Sequence, residues 1–179
     1  MDTNVEIKKG SSLSNIEIKQ INEIFQNAFP GNEPVDQKNK KLFLKDTFFI
    51  LCNSKRQMLS VGRLRPVKIT FLKKTYKIQG IADIVSTIKK KGYGSVIMNS
   101  MNDYLQKKNK TGVGFCAKNN STFYRKCGFK IAKGIVNQFV YKNQDNEDDD
   151  VIYLNSKDNF MDKVISHPKE KVIIPCPYW

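Results

Sequence analysis

Residues 81–129 decide the fold, and they read IADIVSTIKKKGYGSVIMNSMNDYLQKKNKTGVGFCAKNNSTFYRKCGF. An apolar, β-rich run ends at residue 88, a basic glycine turn covers residues 89–94, and an amphipathic stretch follows. A short apolar run, a polar break and a second helical stretch come next. Apolar runs that alternate with helical periodicity predict strand, helix, strand and helix, with a parallel step across the first helix.

The turn at residues 89–94, KKKGYG, predicts a seat for an anion. Glycine lets the backbone pass close to a ligand, and the start of the next helix offers unpaired N–H groups and a positive dipole end. A solvated basic turn is an equally good interpretation of these six residues alone. The turn does not fit the dinucleotide fingerprint, because Ile97 stands where a third glycine is needed, and it lacks the Gly-Lys-Ser/Thr of a P-loop.

A second pattern, Tyr124-x-x-x-Gly128-Phe129, lies on the later helix. Together the two motifs resemble those of the GNAT superfamily of acyl-CoA-dependent N-acyltransferases. The GNAT cofactor motif is similar to Gln/Arg-x-x-Gly-x-Gly/Ala, and Lys89 takes its first position with both glycines kept. The sequence departs from the family at Ala117, where an asparagine is usual.

The resemblance implies an α+β, GNAT-like fold with a mixed, mostly antiparallel central sheet flanked by helices. The pattern of the chain agrees, since it predicts a strand, helices, three antiparallel strands, then helix, strand, helix and strand. We expect one N-acetyltransferase domain over residues 1–179. It includes an acidic loop at 143–150 and a C-terminal tail, 155–179, that folds back on the acceptor site. The predicted early strands cover residues 5–8, 46–52, 57–67 and 75–88, and the first helix is capped by Ser12 or Ser14.

By the same resemblance, acetyl-CoA is the co-substrate, and we expect no metal. Its pantetheine would lie along residues 84–86, where the Val85 N–H would polarise the thioester carbonyl. Its pyrophosphate would lie on the amides of residues 91–95. The expected cofactor-binding residues are Ile84, Val85, Ser86, Lys89, Lys91, Gly92, Tyr93, Gly94, Ser95 and Asn119.

Asp83 is the candidate general base. It is the only carboxylate between Asp46 and Asp103, it lies on an apolar strand, and it precedes Gly92 by nine residues. A carboxylate removed from water there fits proton abstraction, although an inward-pointing aspartate bonded to backbone fits the same pattern. Tyr124 is implied by the resemblance as the acid that protonates the departing thiolate, with a core tyrosine as the alternative. The amine would attack directly, without a covalent enzyme intermediate.

Nearly the full length of the chain resembles, faintly, the aminoglycoside 2′-N-acetyltransferases. Residues 28–31, AFPG, are similar to a loop of that subgroup, and consecutive acids run into a strand at residues 147–154, EDDDVIYL. The chain also ends on a tryptophan. This resemblance implies an aminoglycoside or amino sugar as acceptor, bound by Glu33, Asp36, Asp150 and Trp179. Glu33 and Asp36 fit solvated loop acids as well.

The charge leaves other partners open. Lys and Arg number 31 against 17 Asp and Glu, a formal net charge of +14, which slows encounter with a polycationic antibiotic. Protein amines and polyamines are alternative acceptors. A further alternative is a non-catalytic basic module whose surface, including Arg63, Arg65, Lys73, Lys74 and residues 89–91, holds nucleic acid. No nucleic-acid-binding motif supports that alternative. The sequence leaves the oligomeric state open.

The remaining features predict a cytoplasmic protein without a membrane partner. The four cysteines show no metal-ligand spacing, and Cys52 and Cys116 lie in apolar runs, as is typical of reducing compartments. The N-terminus has no charged-then-apolar signal pattern, and the longest apolar runs are too short to span a bilayer.

Overall fold

The structure, a computed structural model, describes residues 4–31, 35, 43–141 and 147–175. Its strands are β1 (Asn4–Lys9), β2 (Thr47–Cys52), β3 (Met58–Phe71), β4 (Lys74–Ser86), β5 (Gly112–Cys116), β6 (Lys130–Lys133), β7 (Phe139–Tyr141), β8 (Asp150–Leu154) and β9 (Val172–Ile174). Its helices are α1 (Asn15–Ala28), α2 (Tyr93–Lys107), α3 (Ser121–Lys126) and α4 (Phe160–Ser166). From β1 to β6, the predicted order of strands and helices is confirmed.

The strands form a mixed, mostly antiparallel sheet, as predicted. The chain divides into two compact units, one of residues 1–65 with 82–101 and one of residues 66–81 with 102–179. Strands β3 and β4 contribute residues to both units, and each unit is described by itself. None of the helices among the described residues is long and apolar enough to cross a membrane.

In the first unit, β2 pairs antiparallel with β1 on one side and β3 on the other. Helix α1 begins at a capping box. The Ser14 hydroxyl accepts from the Glu17 amide, and the Glu17 carboxylate accepts from the Ser14 amide at 2.8 Å. This confirms Ser14, rather than Ser12, as the cap. The apolar face of α1 is buried in a cluster that contains Ile21, Ile24, Phe25, Val35, Phe43, Phe48, Ile50, Met58 and Val61.

In the second unit, β5 pairs parallel with β4, with Gln79 opposite Gly112, and this confirms the parallel step across α2. On its other side β5 pairs antiparallel with β8, which in turn pairs with β6. Strand β9, in the predicted tail, pairs parallel with β7 and meets β3 at Thr70 and Ile173. Main-chain bonds to two strands therefore hold this part of the tail, while Trp179 lies outside the described residues.

One strand boundary was wrong, and one helix was not predicted. Strand β3 continues to Phe71 instead of ending at residue 67, because Leu72 and Lys73 turn the chain with φ values of 48° and 58°. Neither residue is the glycine or asparagine that is typical of such a turn. Helix α4 was not predicted, since its seven residues are too few to show a period.

A Gly10→Ala variant tests the closest backbone approach in the first unit. A Cβ at Gly10 would lie 2.0 Å from the Phe43 carbonyl oxygen, and the Gly10 amide donates to the Asp46 carbonyl at 2.9 Å. The turn before β2 must shift to admit a methyl group. We expect a loss of about 1–3 kcal/mol in the free energy of unfolding, measured by urea denaturation. The control, Ser11→Ala, changes an exposed neighbour. Equal midpoints for the two variants would contradict this prediction.

Candidate active site

Asp83 interrupts the regular geometry of β4. Its φ of 51° lies in the left-handed region, although the residue is neither glycine nor at the end of the strand. Such a conformation costs an aspartate about 1–3 kcal/mol and is found where the surroundings hold it in place. The sequence carries no signal for it. The consequence is a local change of backbone direction immediately before residues 84–86, the predicted thioester-binding segment.

The carboxylate of Asp83 is paired with a guanidinium. Its Oδ2 contacts Arg63 Nε, as an ion pair without the alignment of a hydrogen bond, and the two side chains are 17% and 13% exposed. The sequence left two interpretations of Asp83 open: a desolvated base without a partner, or an aspartate bonded to backbone. The structure shows neither, because the partner is a neighbouring side chain on β3.

Asp46 stands behind this pair and is completely buried. Its Oδ2 accepts from Arg63 Nη1 at 3.0 Å and from Arg65 Nη2 at 3.2 Å. Burial raises the pKa of the Asp46 carboxyl, and the two guanidiniums act in the opposite direction. Two carboxylates and two guanidiniums thus form a charge network with no net formal charge, which we call the arginine network (Asp46, Arg63, Arg65 and Asp83).

The arginine network corrects one prediction. Arg63 and Arg65 were placed in a basic surface for nucleic acid, yet both are largely buried and paired with Asp46. The spacing of Arg63 and Arg65 could have indicated their burial. The two residues are two apart on an apolar strand, so their side chains share a face. Two charged residues on the inner face of a strand need buried partners.

The segment that follows Asp83 is held by strand β3. The Ser60 hydroxyl, fully buried, donates to the Val85 carbonyl at 2.7 Å and lies 2.9 Å from the Ser86 hydroxyl. The Thr87 amide donates to the Leu59 carbonyl. These bonds fix the backbone of Val85. The role of its N–H toward a thioester stays a prediction.

The glycine turn has the geometry expected of an anion seat. Gly92 has a φ of 79°, and a Cβ built on it would meet nothing within 4 Å. Helix α2 begins at Tyr93, and the Val96 amide makes a first helical bond to the Gly92 carbonyl. The amides of residues 93–95 precede that bond, so they have no helical acceptor of their own. Exposed lysines at 89–91 add positive charge. The residues present therefore fit a phosphate or pyrophosphate group.

In the second unit, the Tyr124-x-x-x-Gly128-Phe129 motif forms the C-terminal end of α3. The Phe129 amide donates to the Tyr124 carbonyl at 3.2 Å, and the Gly128 amide donates to the Arg125 carbonyl at 3.0 Å. Gly128 has a φ of 83°, and a Cβ there would lie 2.6 Å from Asn102 Nδ2. This is a Schellman end, in which only glycine fits the left-handed position.

The phenol of Tyr124 is held in its neutral form. Burial raises its pKa well above the ordinary value, and the neighbouring Cys116, Asp148 and Cys127 add to the shift. At neutral pH the hydroxyl therefore carries its proton.

The other predicted contacts divide into two groups. Asp150 is buried and accepts from the Ser121 hydroxyl at 2.5 Å, so this predicted acceptor ligand has a partner at the start of α3. Asn119 lies exposed in a 3₁₀ turn, Lys118–Asn120, whose first amide donates to Asp149. Glu33, Asp36 and Trp179 lie outside the described residues.

Comparison with known proteins bears on this arrangement. A family model described as an acetyltransferase (GNAT) domain matches residues 11–132. The chain belongs to the GNAT acetyltransferase family. Like other members, this GNAT protein is an N-acetyltransferase that uses acetyl-CoA. The family and the fold are thereby confirmed. No curated protein matches the chain.

Solved structures share the GNAT fold at low identity. The GNAT family N-acetyltransferase YhbS of Escherichia coli, solved in complex with CoA, has a TM-score of 0.63 and 11% identity, covering 97% of this chain and 89% of its own. The catalytic domain of the Tetrahymena GCN5 histone acetyltransferase, in complex with coenzyme A, has 0.56 and 15%, covering 86% and 92%. A probable N-acyltransferase from Enterococcus faecalis has 0.58 and 19%; the match covers 74% of this chain but only 35% of that protein.

Gly92→Glu tests the anion seat of this GNAT protein. A carboxylate in the open space above Gly92 would repel the pyrophosphate by roughly 1–4 kcal/mol at about 4 Å separation, so acetyl-CoA should bind at least about fivefold more weakly in calorimetric titration. Gly134→Glu is a matched control. Its φ is 69°, a Cβ there also meets nothing within 4 Å, and the change in charge is the same. An equal loss of affinity in both variants would contradict a specific seat.

Proposed function

We propose that this GNAT protein transfers the acetyl group of acetyl-CoA to a primary amine by direct attack in a ternary complex, and that the acceptor is an aminoglycoside or amino sugar. The observation that carries the proposal is the Asp83 carboxylate, held at a left-handed point of β4 directly before residues 84–86. A carboxylate in that place supplies the proton acceptor that an ammonium substrate needs before it can attack.

Residues of the first unit would bind acetyl-CoA and remove the proton from the attacking amine. Acetyl-CoA supplies an acetyl thioester, whose pyrophosphate fits the amides of residues 93–95 and the lysines beside them. The Val85 N–H would donate to the thioester carbonyl oxygen as negative charge develops there. Asp83 would accept the proton of the attacking amine, directly or through a water molecule.

Tyr124 is the proposed proton donor. As the C–S bond breaks, its hydroxyl would give a proton to the departing sulfur. The support for this role is its place in the GNAT motif, and the neutral phenol carries the proton that the departing thiolate needs.

The acceptor class rests on the resemblance of residues 28–31 and 147–154 to the aminoglycoside 2′-N-acetyltransferases. One of the structural neighbours, from Tetrahymena, is a histone acetyltransferase. Protein lysine is therefore the second acceptor class to test. The nucleic-acid alternative loses support, since Arg63 and Arg65 are paired internally.

The acceptor is tested by following CoA release from acetyl-CoA in the presence of tobramycin, glucosamine, spermidine or a lysine-containing peptide. We expect CoA release that depends on tobramycin or glucosamine. Mass spectrometry should show a product heavier than that amine by about 42 Da, the mass added when one acetyl group replaces a hydrogen. Release that depends only on the peptide or on spermidine would replace the acceptor and keep the reaction. No amine-dependent release would contradict the proposed function.

Tyr124→Phe tests the proton donor. The variant keeps the ring and loses the hydroxyl, so we expect kcat to fall about 100-fold or more while the KM for acetyl-CoA stays near the wild-type value. Tyr153→Phe is the control, because it removes a hydroxyl from a buried tyrosine outside the motif. An unchanged kcat in Tyr124→Phe would assign this tyrosine to packing alone.

A further inference from the structure

We propose that Arg63 is a positioning residue for acetyl transfer, and that it orients the Asp83 carboxylate while Asp46 orients Arg63. The inference rests on the proposed role of Asp83 as proton acceptor. It adds two contacts to that role: the fully buried Asp46 contacts Arg63, and Arg63 contacts the Asp83 carboxylate.

The first step is the placement of Arg63 on β3. Its strand neighbour in β2 is Phe48, two residues after Asp46, so the register brings Asp46 beside the arginine. On the β4 side, a Cβ at Gly62 would lie 2.9 Å from Ile84 Cδ1. The strand is therefore packed tightly against the residue that follows Asp83, and Arg63 reaches that carboxylate from a fixed backbone.

The second step is the shape of the guanidinium. Arg63 uses Nη1 for Asp46 and Nε for Asp83, so one planar group spans two carboxylates. A lysine presents a single point of charge and does not reproduce this geometry. Because Asp46 holds one edge of the plane, the Nε on the other edge has a fixed position, and the Asp83 carboxylate is in ion-pair contact with it.

The third step is the difference between the two arginines. Arg65 donates to Asp46 through Nε and Nη2, and its ion pair is with Asp46. Loss of Arg65 leaves Asp83 with its partner, whereas loss of Arg63 removes the cation in contact with Asp83. The chain thus offers a matched pair of substitutions in one network, only one of which reaches the reacting group.

Arg63 itself cannot be the base, because a guanidinium stays charged and has no acceptor atom. Its effect on the reaction must pass through Asp83. A double-mutant cycle detects this dependence, since residues that act through one another are not additive.

The experiment measures kcat, the KM for acetyl-CoA and urea denaturation for Arg63→Met, Asp83→Asn and the double variant, using the amine that gives the highest rate with the wild type. We expect Arg63→Met to lower kcat roughly 100-fold, as misplacement of a catalytic group by about 1 Å does, with the KM for acetyl-CoA unchanged. In the Asp83→Asn background the same substitution should lower kcat by less than about twofold.

Two further variants keep the test decisive. Arg65→Met should lower the denaturation midpoint, and its effect on kcat should be the same in the wild-type background as in the Asp83→Asn background. If Arg63→Met does not fold, Arg63→Lys retains the buried positive charge and should show the same dependence on Asp83.

The outcomes separate the two proposals. A wild type inactive with every amine, or an Asp83→Asn variant with wild-type kcat, overturns the proposed function and this inference with it. An inactive Asp83→Asn variant combined with an additive effect of Arg63→Met overturns the inference alone. Equal non-additivity for Arg63 and Arg65 would also overturn it, because the effect would then belong to the stability of the whole network.

Discussion

The burial of Asp46 is the constraint on which the first unit depends. A fully buried carboxylate is unfavourable unless charged partners and hydrogen bonds replace the lost water, and here two guanidiniums do so. They come from alternate positions of β3, while Asp46 lies at the entry to β2. The requirement therefore fixes the register of two strands and places Arg63 against Asp83. The pairing of Asp46 with the two guanidiniums therefore favours one alignment of β2 and β3, and it also places the cation that contacts Asp83.

Glycines with positive φ mark the start of one helix and the end of another, the two helices that carry the GNAT motifs. At Gly92 the left-handed backbone leads into α2 and leaves open space in front of the first amides. At Gly128 it ends α3 in a pair of main-chain bonds, one of which holds the carbonyl of Tyr124. The two GNAT motifs are short because each describes a self-contained piece of backbone geometry, bonded within a few residues.

That locality explains what could be predicted from the sequence. The family, the order of strands and helices from β1 to β6, and the parallel step all follow from patterns a few residues long. The arginine network does not, since its members come from three separate segments and leave no contiguous pattern; Arg63 lies 17 residues after Asp46. The left-handed conformation of Asp83 was also missed, because tertiary contacts there override the preference for glycine or asparagine. The acceptor could not be read, because acceptor sites are commonly built from loops, which have no periodicity.

The order of the charges along the chain has a consequence for folding during synthesis. Asp46, Arg63 and Arg65 leave the ribosome before Asp83, and until then the cluster carries one uncompensated positive charge. Strands β1 to β3 can pair, but closing their inner face would bury that charge, which is unfavourable. We expect the nascent sheet to remain incomplete until β4 has emerged. The residue proposed to take a proton in the reaction is, earlier in the life of the molecule, the residue that allows the first unit to close.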